Sequence, residues 1–143
     1  MQSGTAITLK YQHDHIEDSV LVYSCEKCTV YLVADQDKYD SSFIKLEFQR
    51  VQCVRSARTD CSPAIGIYPK EPGASFIVEL TKSKWPVEAN ESYVYAGSSI
   101  KPSGHHYVVT NHDIFHEILA ESFDEKLIQP NDDEFDIAKY FFS

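Results

Sequence analysis

The sequence predicts an α+β fold: a single domain over residues 1–143, mainly antiparallel β-sheet, with one or two short helices packed on it. Three observations lead to this prediction. The length of 143 residues is that of one ordinary domain. Hydrophobic residues make up 43% of the chain, which is enough to close a core. Several short runs alternate between apolar and polar residues and are separated by turn residues, as half-buried strands do.

The first third of the chain predicts three strands. Residues 5–11 alternate with a period of two, which is typical of a strand with one buried face. The short apolar runs 20–23 and 29–33 are separated by a polar stretch that contains Cys25, Glu26, Lys27 and Cys28, so we expect them to form a hairpin. Residues 34–42 are rich in Asp and Ser and predict a polar loop.

The middle of the chain predicts two more strands. Residues 44–48 alternate, and the alternation resumes at 51–55 after a slip of one residue, which predicts a β-bulge between Phe48 and Val51. Residues 64–67 lie between two prolines, which restricts them to a sheet edge or a loop. Residues 76–80 predict the next strand.

A short helix is expected within residues 83–95. Ser83 can cap it, and Trp85 and Pro86 then occupy its first turn. Residues 97–104 are rich in Gly and Ser and predict a loop, and residues 105–110 predict a strand.

Residues 112–123 fit two structures. Apolar residues recur about every four positions, and this periodicity favours an amphipathic helix. The same segment also fits a period of two after a turn at residues 111–113, so a strand remains open. The acidic C-terminal segment, about 124–143, ends in aromatic residues that are too apolar to stay free. We expect it to dock on the body as a short helix or strand.

The charge balance indicates the class of partner. The formal net charge is −9, which repels nucleic-acid backbones and anionic membrane surfaces. We therefore expect neither as a direct ligand, and a basic protein as the partner. The chain has no apolar run long enough to span a membrane and no leader-like amino terminus, so we expect a cytoplasmic protein.

The cysteines offer one route to a metal. Cys25 and Cys28 have the spacing of half a zinc site, but Cys53 and Cys61 are too far apart to form the second tight pair. Reduced thiols in a cytosolic protein are the preferred interpretation, and a zinc site using Cys25 and Cys28 is the alternative.

The histidines offer a second route. The five glycines are too scattered for a phosphate-binding loop or a dinucleotide-binding turn, and no nucleophile elbow is present. Imidazole and carboxylate groups together can hold a divalent cation. The candidate ligands are His112, His116 and His105, with His13 or His15 as substitutes for His105 and with carboxylates near them in the sequence.

Four short stretches in residues 43–123 carry a resemblance. They are Leu46, Phe48, Val51 and Arg55; then 77–85 with its Trp85; then 106–109; and finally 117–123. Their order resembles small, poorly characterised bacterial proteins, some of which are similar to immunity proteins that neutralise a toxin made by a neighbouring gene. The resemblance spans about half the chain and brings no catalytic residues. It implies an antiparallel sheet in which residues 115–123 return alongside residues 105–110.

These observations together predict a non-enzymatic acidic protein that neutralises a basic partner, such as a cognate toxin, by occlusion. Acidic side chains would speed association, and aromatic side chains would supply most of the affinity. The candidate partner-binding residues are Trp85, His106, Tyr107, Asp113, Glu117 and Glu121. No cofactor is expected for this function. The alternative function is a small metal-dependent enzyme that uses the histidines and carboxylates.

Overall fold

The computed structural model describes residues 3–24, 27–61, 65–91 and 104–143. Over these residues the chain forms nine strands, two α-helices and one 3-10 turn at Thr59–Cys61. The strands are β1 Gly4–Thr8, β2 Val20–Ser24, β3 Lys27–Val33, β4 Phe43–Gln49, β5 Cys53–Arg58, β6 Phe76–Leu80, β7 His105–Thr110, β8 Ile114–Ala120 and β9 Ser122–Ile128. The helices are α1 Trp85–Glu91 and α2 Phe135–Phe141. The prediction of a mainly antiparallel β protein with short helices is confirmed.

The strands form two antiparallel sheets. One has five strands in the order β1-β6-β7-β8-β5, and the other has four in the order β2-β3-β4-β9. Alternate residues of both sheets meet in one buried cluster, which includes Leu32 and Phe48 from the four-stranded sheet and Tyr107 and Ile118 from the five-stranded sheet. We call the faces that meet there the inner faces. Each sheet also has an outer face, and the helices pack on these.

A bulge joins the two sheets. The long β4–β5 strand runs beside β8–β9, and both pass from one sheet to the other at the same point. Residues 50–52 lie opposite Ala120 and Glu121, so one strand carries an extra residue, as the sequence predicted. Arg50 has a φ of 51°, and the Glu121 N–H still donates to the Gln49 carbonyl oxygen at 2.9 Å. The ribbon therefore bends without losing its pairing.

The expectation that periodicity favours a helix over residues 112–123 is wrong. These residues form the turn after β7, strand β8 and the start of β9, with Ile118 paired to Tyr107 across the β7–β8 ladder. Strand β8 is buried on both faces, because its inner face packs against the other sheet and its outer face is covered by chain segments. Apolar residues on both faces of a strand lose the period of two and can mimic a helical repeat.

The C-terminal segment docks on the outer face of the four-stranded sheet. Helix α2 buries Ala138, and the aromatic rings on either side of it pack against Tyr31 and Phe43. Lys45 on β4 also donates to Glu134 Oε1 at 2.7 Å just before the helix begins. The expected docking of this segment therefore takes the form of a helix held by aromatic packing and an ion pair.

Four other expectations lie partly outside the described residues. They are the hairpin connection 25–28 at residues 25–26, the segment 64–67 at residue 64, the helix within 83–95 at residues 92–95, and the loop 97–104 apart from its last residue. The register nevertheless places Ser24 opposite Lys27, as a hairpin requires. Strand β1 ends at Thr8 rather than at residue 11. The Leu9 N–H still donates to the Ser75 carbonyl oxygen in the same register, but the Ser75 N–H donates to Oε1 of Gln12 instead of returning to Leu9.

Candidate functional site

An open pocket of about 510 Å³ lies on the outer face of the five-stranded sheet. Strands β5, β7 and β8 form its floor, and helix α1 with the residues before it forms one wall. Its lining residues are Arg55, Leu80, Lys82, Ser83, Lys84, Trp85, Glu88, His106 and Glu117. A smaller cavity of about 190 Å³ is also lined by Ser83 and His106. These two side chains are therefore reached from two cavities.

Ser83 bonds the start of α1, as the sequence predicted, from the position before Lys84, whose carbonyl oxygen accepts the first helical hydrogen bond. Its Oγ accepts the N–H of Trp85 at 3.1 Å, which satisfies a main-chain donor at the start of α1. The same Oγ lies 2.5 Å from Nδ1 of His106 on β7. The helix start is thus attached to the sheet through a serine–histidine hydrogen bond.

His106 is almost fully buried and has a polar partner on each ring nitrogen. Its Nε2 lies 2.8 Å from Oε1 of Glu117 on β8. An ionised carboxylate can only accept, so Nε2 carries the proton. In the neutral ring, Nδ1 is then an acceptor, and the Ser83 hydroxyl donates to it. The hydrogen bonds therefore run in one direction, from Ser83 through His106 to Glu117.

Arg55 fixes the carboxylate of Glu117. The register pairs these two residues across β5 and β8, and the guanidinium donates to both carboxylate oxygens at 3.0 and 2.9 Å. Burial by itself would raise the pKa of Glu117, but the hydrogen bonds from His106 and Arg55 outweigh it and leave the pKa below its usual value. Glu117 is therefore an anion with two fixed donors.

Trp85 covers this network. The guanidinium carbon of Arg55 lies 4.0 Å from the centre of the Trp85 ring, in cation–π contact. The Trp85 and His106 rings meet edge to face, with centroids 4.8 Å apart. The indole therefore holds Arg55 and His106 in place from the helix side.

The six predicted partner-binding residues do not form one surface. Trp85, His106 and Glu117 meet in the pocket, where their polar groups already have partners within the chain. Tyr107 points the other way, into the core between the sheets, where burial and the nearby Glu79 raise its pKa. Asp113 and Glu121 are exposed: the first lies in the β7–β8 turn beside His112, and the second pairs with Arg50 at the bulge.

The candidate metal ligands are dispersed in the part of the chain that the structure describes. His105 pairs with Glu79 at 2.9 Å, His112 lies in the exposed β7–β8 turn, and His116 is buried against Ser56. Within residues 3–24, 27–61, 65–91 and 104–143, no three His, Cys, Asp or Glu side chains come together around a possible cation. Cys28 is fully buried in the core, where desolvation raises its pKa to about 12, whereas a metal ligand must be a thiolate. Cys25 lies outside the described residues.

A second candidate surface lies on α2, within the acidic segment. Asp136, Ile137 and Tyr140 are exposed on the side of the helix that faces away from the sheet. Tyr140 is 76% exposed and Ile137 is 56% exposed. We call Asp133, Asp136, Ile137 and Tyr140 the α2 face.

Sequence reasoning missed the role of two pocket residues. The sequence predicts only a capping role for Ser83 and does not mark Arg55 as a site residue. The only signal for Ser83 was its position two residues before a tryptophan. The partner of Arg55 depends on strand register and carries no local signal.

No family model, no curated protein and no solved structure matches this chain. Among the described residues, no helix has both the length and the apolar character needed to cross a membrane.

Proposed function

We propose that the protein is a bacterial, cytoplasmic binding protein that neutralises a basic protein, such as a cognate toxin, by occluding it, without chemistry on that partner. The resemblance to immunity proteins and the net charge of −9 support the class of partner. The observation that carries the proposal is the α2 face, where two large apolar side chains are exposed within the most acidic segment of the chain.

The ion pairs divide the acids of this segment into two groups. Asp132 and Glu134 form ion pairs with Lys126, and Glu134 also pairs with Lys45. These two acids are therefore paired within the chain and attach the start of the helix to the sheet. These contacts lower the pKa of Glu134. Asp133 and Asp136 are exposed beside the helix and point to solvent. The second group is available to a basic surface.

The apolar residues supply the affinity that charge alone does not. Exposed charges speed association but add little net affinity, because salt screens them. Tyr is enriched among the residues that dominate binding energy, because its ring buries a large area and its hydroxyl finds a partner. Tyr140 stands on a helix already fixed by Phe135 and Phe142, so binding would immobilise little additional chain.

A matched pair of variants tests this surface. The double variant Tyr140→Ser/Asp136→Asn removes one exposed ring and one charge from the α2 face. The control Tyr68→Ser/Asp37→Asn removes the same groups elsewhere, since Tyr68 is 77% exposed and Asp37 is exposed. Each protein is used to capture basic proteins from the lysate of its native cells, and the dissociation constant of the captured protein is then measured in rising salt.

We expect wild type and control to retain one basic protein, and the α2 variant to bind it about 30-fold or more weakly, as loss of a central aromatic contact does. The affinity should fall as salt rises. Equal retention by all three proteins, or no basic protein on wild type, contradicts the proposal. The double variant Asp113→Asn/Glu121→Gln, measured in the same assay, tests whether these two exposed acids contribute to the affinity for the basic protein.

A further inference from the structure

The pocket on the five-stranded sheet contains a serine, a histidine and a carboxylate in one hydrogen-bonded chain. The Ser83 Oγ to His106 Nδ1 distance is 2.5 Å, and the His106 Nε2 to Glu117 Oε1 distance is 2.8 Å. We propose that this is an acyl-transfer site that hydrolyses small carboxylic esters, with Ser83 as nucleophile and His106 as general base. It lies on the opposite sheet from α2, so this activity is separate from partner binding.

The donor and acceptor directions suit a nucleophile. Because Nε2 of His106 is committed to Glu117, Nδ1 is the free base that faces the serine hydroxyl. The serine bonds Nδ1 and the acid bonds Nε2, whereas in the well-known triads the nitrogens are used the other way round. Either imidazole nitrogen can accept a proton when the other carries one, so the chemistry is equivalent.

Ser83 keeps an electron pair for attack. A hydroxyl offers one donor and two acceptor lone pairs. The donor goes to His106 and one lone pair accepts the Trp85 N–H, which leaves one lone pair unused. Ser83 is only partly buried and lines two cavities, so a substrate carbon has space to approach it.

The supporting residues have positioning roles. Glu117 holds the tautomer of His106 and stabilises the imidazolium that forms when the ring takes a proton. Arg55 holds Glu117 through both carboxylate oxygens, and Trp85 covers the guanidinium. Neither Arg55 nor Trp85 needs to touch the reacting atoms.

The pocket charge indicates the substrate class. Lys82 and Lys84 are exposed on either side of Ser83 and line the pocket, with Glu88 as the acid that lines it besides Glu117. Glu117 is already bound to Arg55 and His106. The two ammonium groups favour an ester whose acyl part carries a carboxylate.

The reaction needs no co-reactant except water. Ser83 Oγ forms a bond to the ester carbonyl carbon while its proton passes to Nδ1 of His106. The bond from that carbon to the alcohol oxygen then breaks, and the alcohol leaves with the proton from Nδ1. Water next attacks the acyl carbon and gives a proton to Nδ1. The bond to Oγ breaks, and Ser83 recovers the proton.

The first test uses the wild-type protein and a biotinylated fluorophosphonate, which reacts with activated serines. The labelled site is mapped by mass spectrometry of the digested protein. We expect the label on Ser83. No label, or label only on other residues, overturns the proposal whatever the behaviour of any variant.

The second test measures hydrolysis of mono-4-nitrophenyl succinate, which is anionic, and of 4-nitrophenyl acetate, which is neutral. Ser83→Ala should lower the rate with the succinate ester by about a hundredfold or more, the range for loss of a nucleophile–base pair. Ser56→Ala and Ser75→Ala are matched controls, because each removes a serine bonded to a buried histidine, and both should keep wild-type rates. An unchanged rate in Ser83→Ala overturns the proposed nucleophile. A rate with acetate equal to that with succinate overturns the proposed substrate charge.

The positioning role of Glu117 has its own readout. Glu117→Gln can still accept a hydrogen bond from His106 but cannot stabilise an imidazolium by charge. We expect slower labelling of Ser83 with a changed pH profile. The urea midpoint should fall, because the Gln amide nitrogen replaces the carboxylate oxygen that accepts from Nε of Arg55. Labelling at the wild-type rate over the whole pH profile overturns this role.

Discussion

Three buried histidines in this chain bond a serine in the same way, and one of them, His106, lines the pocket on the five-stranded sheet. The distances from Nδ1 to Oγ are 2.5 Å for His106 and Ser83, 2.6 Å for His116 and Ser56, and 2.7 Å for His13 and Ser75. All three rings are almost fully buried. A serine–histidine hydrogen bond is therefore a recurrent packing solution in this fold and does not by itself mark a site.

The three histidines differ in the surroundings of the other ring nitrogen, Nε2. Nε2 of His116 has no hydrogen-bond partner of normal geometry, although the main chain of Ser19 lies close enough to raise its pKa slightly. Desolvation dominates and lowers the pKa of His116 to about 4. Burial, with the neighbouring His15, does the same to His13. His106 alone of the three has a carboxylate on Nε2, and an arginine holds that carboxylate. All three histidines bond a serine through Nδ1, so the serine does not distinguish them. The carboxylate partner on Nε2 is the feature that sets His106 apart from His13 and His116.

The largest expected effect is acid destabilisation through the two packed histidines. In the folded chain both stay neutral down to about pH 4, whereas in the unfolded chain they take a proton near pH 6.5. The unfolded state therefore binds more protons between these values, and stability is lost as the pH falls from 6.5 to 4. Each ring should contribute a loss of about 3 kcal/mol in the free energy of unfolding over this range. Urea denaturation at a series of pH values measures the loss.

A single substitution isolates one ring. His116→Asn keeps a polar group near Ser56 and cannot titrate, so the loss of stability between pH 6.5 and 4 should fall by about half. The control is His112→Gln, because His112 is exposed in the β7–β8 turn, and its pH dependence should match wild type. If His116→Asn keeps the full pH dependence, the loss of stability in acid arises from other groups. The lowered pKa of His116 would then not distinguish it from His106.

The next effect tests the His106 pair. Glu117→Ala leaves the buried Nε2 of His106 without an acceptor and Arg55 without its carboxylate. Arg55 is half exposed and can turn to water, so the cost comes mainly from the buried nitrogen, about 2 kcal/mol in the free energy of unfolding at pH 7. The control Glu121→Ala breaks the exposed pair with Arg50 and should cost under about 0.5 kcal/mol. Equal urea midpoints for the two variants would mean that Glu117 contributes no more than a surface ion pair.

Local patterns could predict much of this fold. The alternation before and after Phe48 predicted both strands and the bulge between them. A strand with one buried face has apolar residues at every second position, and a bulge shifts that pattern by one residue. Ser83 followed by Trp85 and Pro86 located the start of α1. The same reasoning failed for strand β8. Both faces of this strand are buried, so its apolar residues fit a helical period as well as the period of two of a strand.

The pocket could be predicted only in part, because strand order assembles it. Trp85, His106 and Glu117 were chosen as separate candidates, but the contact between Arg55 and Glu117 joins residues 62 positions apart. That contact requires β5 to pair with β8 in one particular register, and His106 reaches Glu117 only because β7 pairs with β8 on its other side. One residue of slip would turn Arg55 to the inner face. Side-chain chemistry in the sequence cannot supply that register.

The smallest expected effect comes from Arg55→Lys, and it separates stability from positioning. Lysine keeps the positive charge but loses the two-point contact with Glu117 and most of the stacking on Trp85, so the cost should be about 1 kcal/mol in the free energy of unfolding. Arg58→Lys is the control, since Arg58 is highly exposed, and it should match wild type in a urea titration. If Arg55 acts by fixing Glu117 against His106, fluorophosphonate labelling of Ser83 should slow in Arg55→Lys and not in Arg58→Lys. A loss of stability with an unchanged labelling rate would mean that Arg55 stabilises the fold but does not position Glu117 for a reaction at Ser83. His106 would then differ from His13 and His116 only in having an acceptor on Nε2.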